Sequence, residues 1–212
     1  MVTAFTDLLL AIFCFWCYKS LSKLRIGNTY ITQWRLFFLF LCVSTFLGVV
    51  VHGLPWEHTS GYYIITWLIM QCIAGVSLFY AQVAACKEEI ADVNKHKLFF
   101  TISLVQLFVF FACVFYFKNF LVVSVNSLVG LVQLVVLYFP TSIRTRKYKA
   151  MIFSGFIISF STIYIHSKKI SLASWFNHND ISHMIMLFSL LFIYFGLKHK
   201  YKSAFKYKES LV

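Results

Sequence analysis

Residues 98–139 read LFFTISLVQLFVFFACVFYFKNFLVVSVNSLVGLVQLVVLYF, two long apolar runs interrupted only by Lys118 and Asn119. A helix needs about 20 residues to cross a hydrocarbon core roughly 30 Å thick. Leu98–Phe117 and Phe120–Phe139 both meet that length without a single charge. Working outward, five further runs qualify: residues 2–18, 34–52, 62–86, 150–166 and 180–197. The pattern predicts an all-α polytopic membrane protein, a single seven-transmembrane-helix bundle covering residues 1–212. A cleaved signal peptide is the rival reading of the first run. That run lacks a basic leader and a small-residue cleavage site, so it is taken as a helix.

Composition points the same way. Hydrophobic residues make up 60% of the chain and charged residues 12%, far below the quarter or so of charged residues usual in a soluble domain.

Cytoplasmic loops carry an excess of Lys and Arg. Lys19, Lys23, Arg25 and Arg35 fall in the first loop, Lys87, Lys95 and Lys97 in the third, and Arg144, Arg146, Lys147 and Lys149 in the fifth. The tail adds Lys198, Lys200, Lys202, Lys206 and Lys208, which leaves three, Lys118, Lys168 and Lys169, for the other side. This asymmetry predicts an outside N-terminus and a cytoplasmic C-terminus. It also explains the net charge of +12 without nucleic acid, since the cations alternate between loops rather than cluster on one surface. Glu88, Glu89 and Asp92 among these lysines read as an ordinary solvated charge run. An inner membrane of a bacterium is the expected location, and membrane lipids are the expected partners.

With sidedness assigned, His52, His58, His166, His178 and His183 gather toward the outer face together with Asp7, Glu57 and Asp180. Ionisable groups at membrane depth are costly, so they mark candidate sites whose partners should be named. Asp7 lies one turn into the first helix and His52 closes the second, with Gly48 and Thr45 on the stripe beneath the imidazole. Asp180 and His183, three residues apart, share a face of the last helix. His178 and His183 are five apart, about 140° in azimuth, so both can reach one ion only if the helix starts after His178. Asp180 as the cap of that helix is the bland alternative.

Imidazoles with a nearby carboxylate suit zinc, which catalytic sites bind through three protein ligands and an open fourth position. His52, His178 and His183 are the predicted metal ligands. Asp7 and Asp180 are the predicted catalytic acids, orienting an imidazole or taking the proton of a metal-bound water. A site at the membrane boundary would act on a lipid amide or ester.

The acid near the first helix, the histidine ending the second and the histidine pair opening the seventh resemble the CREST superfamily, which includes alkaline ceramidases and the progestin and adipoQ receptors. That resemblance implies a three-histidine zinc site and, where activity is established, amide hydrolysis of ceramide-like lipids. The chain departs from the pattern at Gly48, where those families place a serine four residues before the histidine, and in the five-residue spacing of the last pair. The alternative function is a non-enzymatic seven-helix protein, haem-binding, receptor-like or a transporter, with a structural histidine cluster. A retinal protein is excluded because Ile181–Gly196 holds no lysine. Pro55 and Pro140 both read as loop residues, and the six cysteines as small buried side chains.

Overall fold

The computed structural model describes residues 2–24, 29–57, 59–144 and 147–209. His58, Arg25 and Arg146 therefore lie outside the described residues. Seven α-helices follow in order: α1 Val2–Ser22, α2 Thr29–Gly53, α3 Gly61–Glu89, α4 Val93–Phe117, α5 Phe120–Arg144, α6 Lys147–Lys168 and α7 His178–Glu209. All seven are long and apolar enough to cross a membrane, which makes this a multi-pass integral membrane protein.

Short polar signals between the apolar runs set the helix ends. Ser60 caps α3 by accepting the Tyr63 amide at 3.2 Å, and Asp92 caps α4 by accepting the Lys95 amide at 2.8 Å. Lys118 stops α4 in the left-handed region at φ 47°, after which Asn119 accepts the Leu121 amide at 2.9 Å to start α5. Pro140 is not in a loop: α5 continues through it to Arg144. A proline costs a helix one amide donor, but here the last turn is held by hydroxyls, Thr141 donating to Tyr138 O at 3.2 Å and Ser142 to Phe139 O at 2.9 Å.

Six helices form a closed ring, with contacts running α1–α2–α3–α5–α6–α7 and back to α1. Helix α4 stands outside it against α3 and α5. The interior is filled by Trp34, Phe38, Tyr138, Phe156 and Tyr194, each at most 2% exposed, whereas Phe108, Leu121 and Phe188 face outward. In lipid, helices associate through close packing and polar contacts, and both are visible. A Cβ on Gly155 would stand 2.8 Å from Ser189 O and one on Gly196 2.8 Å from Tyr148 O, so α6 and α7 touch backbone to backbone. Gln82 donates to Gln106 Oε1 at 2.9 Å and to Gln133 Oε1 at 2.8 Å, and Gln133 donates to Ser103 at 2.8 Å, tying α3, α4 and α5. The cysteines are free, and Cys14, Cys17 and Cys86 are buried.

One end of the bundle overturns a sequence expectation. Glu88 and Glu89 are not solvated: each side chain is only 2% exposed. Lys200 Nζ pairs with Glu88 Oε1, and Lys149 Nζ with Glu89 Oε2 at 2.7 Å, an oxygen that also accepts from Thr141 Oγ1 at 2.7 Å. The reason is register. α3 carries its acids one turn past the apolar run, where α5, α6 and α7 close over them.

Candidate functional site

At the opposite end, α1 begins, α2 ends and α7 begins, which brings Asp7, His52 and His183 together. Asp7 is 4% exposed. Its Oδ1 lies 3.5 Å from His183 Nε2 and its Oδ2 lies 4.0 Å from His52 Nε2. Oδ2 is buried and has no hydrogen-bond partner among the described residues. The imidazoles are partly open, His52 at 31% and His183 at 18% side-chain exposure.

Close approach of the first two helices makes room for this geometry. A Cβ on Gly48 would stand 2.8 Å from Cγ, Oδ1 and Oδ2 of Asp7 alike, so the carboxylate rests directly on the α2 backbone one turn below His52. Gly53 lies similarly close to Ala4, its added Cβ falling 3.3 Å from the alanine's. The missing side chain at Gly48 is thus what admits the Asp7 carboxyl group.

Thr6 fixes the orientation of His183. Its hydroxyl donates to Thr3 O at 2.9 Å, the back-bond usual for a helical threonine, and lies 2.9 Å from His183 Nδ1. A hydroxyl has one proton. With that proton on Thr3 O, Oγ1 is free to accept from Nδ1–H of His183. Nε2, on the other side of the ring, faces the Asp7 carboxyl group at 3.5 Å.

The start of α7 is a capping box. Asn177 Oδ1 accepts the Asn179 amide at 2.8 Å, and the Asp180 carboxylate reaches back to the Asn177 amide, also at 2.8 Å. Asp180 is therefore not the cap itself but the closing acid of the box, three residues on. It is fully buried, and its Oδ1 has no hydrogen-bond partner among the described residues. Asn177 also ties this turn to α1 through Thr3 Oγ1 at 3.5 Å.

Because α7 begins at His178, both His178 and His183 are helical, and the 140° between them keeps them apart. His178 packs edge-on against His166, with ring centroids 4.8 Å apart, and His166 stacks on Phe120 at 3.8 Å. The structure thus assembles two of the three predicted histidines with Asp7 and leaves His178 in a separate aromatic stack. Glu57 lies exposed in the turn after α2. Thr45 donates within its own helix, to Leu41 O at 2.9 Å, and Ser44 to Met70 O at 3.0 Å, so both hold α2 in place rather than line the site. Thr6 and Gly48 complete the site. The sequence signal for Thr6 was its place beside Asp7, but its bond to a residue 177 positions away is tertiary.

Among the described residues, no three His, Cys, Asp or Glu side chains stand ready-closed around a metal ion. In the Asp7, His52 and His183 cluster, His52 is the looser member.

Residues 2–202 match the model of a family of unknown function, DUF6962, and the chain belongs to that family. No curated protein and no solved structure gives a significant match.

Proposed function

We propose that this protein is a zinc-dependent membrane hydrolase acting on a lipid amide or ester, with His52, His183 and Asp7 holding the ion. The observation that carries the reading is the 3.5 Å approach of His183 Nε2 to Asp7 Oδ1, two facing acceptors when Nδ1 carries the ring's proton toward Thr6. Two lone pairs at that range repel unless a cation or a proton lies between them.

Distance separates those two cases. A shared proton would draw nitrogen and oxygen to about 2.7–2.9 Å. Ligand atoms bonded to zinc at about 2.0–2.1 Å stand about 3.3–3.4 Å from one another across a tetrahedral edge. The 3.5 Å from His183 to Asp7 is close to the second value, and the 4.0 Å from His52 needs a shift of several tenths of an ångström. The buried, unpartnered Asp7 Oδ2 supplies the negative charge such an ion requires.

Bound zinc lowers the pKa of a coordinated water to near 7 and so supplies a nucleophile at neutral pH. The protein's part is positional. Thr6 holds the His183 tautomer with Nε2 free, Gly48 lets Asp7 reach both imidazoles, and the Asp180–Asn177 box sets the first turn of α7. Asp7 is thus a ligand rather than the proton acceptor expected from sequence, and Asp180 is a positioning residue. The partly exposed His52 leaves one side of the site open at the membrane boundary, where amphiphiles present their carbonyl groups. In this reading the site faces outward, the C-terminus is cytoplasmic, and the membrane is a bacterial inner membrane, as the lysine asymmetry predicts. The resemblance to the CREST superfamily supports the same chemistry, with an aspartate in place of the third histidine.

Zinc content of the purified wild-type protein and of His183→Ala tests the proposal, beside hydrolysis of lipid amides and esters before and after chelation. Stoichiometric zinc in the wild type, absent from the variant, is expected. A metal-free wild type, or a variant that keeps its zinc, sinks it.

A further inference from the structure

Charge pairing at the lysine-rich end leaves a remainder. Glu88 is taken by Lys200, Glu89 by Lys149 and Thr141, and the Asp92 carboxylate by the Lys95 amide as the cap of α4. Among the described residues no acid pairs with Lys87, His96 or Lys97. These three nonetheless converge. With Gln33 they border one pocket of about 350 Å³ between α2, α3 and α4, whose other walls include Tyr80 and Phe100.

Helix geometry orders the pocket along the membrane normal. Lys87 lies two turns beyond Tyr80 on α3, and His96 lies one turn before Phe100 on α4, so the basic groups are at the bundle end and the aromatic rings deeper. The walls are firm. Tyr80 stacks on Phe40 at 5.3 Å and Phe79 lies against Phe100 at 6.0 Å. An occupant must therefore be anionic at one end and apolar at the other.

We propose that this pocket binds the phosphate headgroup of an anionic phospholipid, with an acyl chain laid over Tyr80 and Phe100. Lys87 and Lys97 supply two ammonium charges, and the His96 ring and the Gln33 amide supply further donors to phosphate oxygens. Basic pockets between membrane helices recognise headgroups by this combination. A free anion would satisfy the lysines but leave the aromatic floor unused. The pocket is at the opposite end from Asp7, so it stands independently of the hydrolase reading.

The test uses the full chain in nanodiscs of dioleoylphosphatidylcholine containing a minor share of dioleoylphosphatidylglycerol, with lipids retained after extraction counted by mass spectrometry. Wild type should retain phosphatidylglycerol preferentially. The enrichment should fall about fivefold for each lysine lost in K87Q and K97Q. It should persist in the K87R/K97R double variant and in K168Q/K169Q, whose lysines lie at the other end. Undiminished enrichment in K87Q/K97Q, or equal loss in K168Q/K169Q, overturns the site. Stripping of phosphatidylglycerol from wild type by millimolar inorganic phosphate overturns the lipid as its occupant.

Discussion

Glu88 and Glu89 at one end of the bundle, and Asp7 and Asp180 at the other, are all acids withdrawn from water, yet only the first pair meets ammonium groups. Lys200 and Lys149 turn the glutamates into ion pairs among α3, α5, α6 and α7. Among the described residues no lysine or arginine pairs with Asp7 or Asp180; Asp7 faces two imidazoles, and Asp180 bonds a backbone amide. An ion pair that is already neutral has no use for a ligand. A buried carboxyl group that meets imidazoles in place of ammonium groups is left without such a partner, and the proposed site is built on that difference.

The largest effect expected at the histidine end is from Asp7→Ala, which removes the carboxyl group between the imidazoles. Zinc measured on the purified variant should be absent, with the helical far-ultraviolet spectrum retained. The counterpart at the lysine end is Lys149→Met, which takes from Glu89 its ammonium partner and leaves it the Thr141 hydroxyl. Breaking a buried pair by deleting one partner costs about 3–5 kcal/mol, so unfolding in detergent should shift by that order while zinc content stays at the wild-type level. If Lys149→Met also lost the metal, the two ends would not be independent.

How much of this could be read from the chain differs between the same two regions. The seven helices were legible because apolar runs of about 20 residues have no soluble alternative, and only their ends moved, as where α5 runs on through Pro140. Asp7, His52 and His183 were legible as costly groups assigned to one face. The fate of Glu88 and Glu89 was not, because a stretch of mixed charge reads the same whether water or neighbouring helices surround it. The bond from Thr6 to His183 and the fit of Gly48 against Asp7 depend on how three helices cross, and no local spacing encodes that.

Intermediate effects probe the supports of the site. Thr6→Val keeps the shape of the side chain but removes the oxygen that accepts from His183 Nδ1. Loss of such an outer contact typically weakens metal binding 10–100-fold, which a competition titration with a chelator would show. Gly48→Ala places a methyl 2.8 Å from the Asp7 carboxyl atoms. Crowding of this kind costs about 1–3 kcal/mol, and here it should appear as weaker zinc binding, because the group that must give way is the proposed ligand. An unchanged zinc affinity in Gly48→Ala would show that Asp7 is free to move and does not hold the ion.

The smallest effect is the most discriminating. His178 was expected among the ligands, yet α7 starts at that residue, and the helical twist turns it toward His166 and Phe120. His178→Ala should leave zinc stoichiometry and affinity within about twofold of wild type, while His183→Ala, five residues along the same helix, abolishes both. The contrast is sharp because the two substitutions are chemically identical and differ only in their place on one helix, about 140° in azimuth and about 7.5 Å along the axis. Equal loss of zinc in the two variants would mean that the first turn of α7 unwinds on metal binding to release His178 from the stack. The capping box then offers a second reading of the same event. Asn177→Ala removes the cap side chain that accepts the Asn179 amide. It should strengthen zinc binding if the turn must open, and weaken it if the helical start is what aims His183.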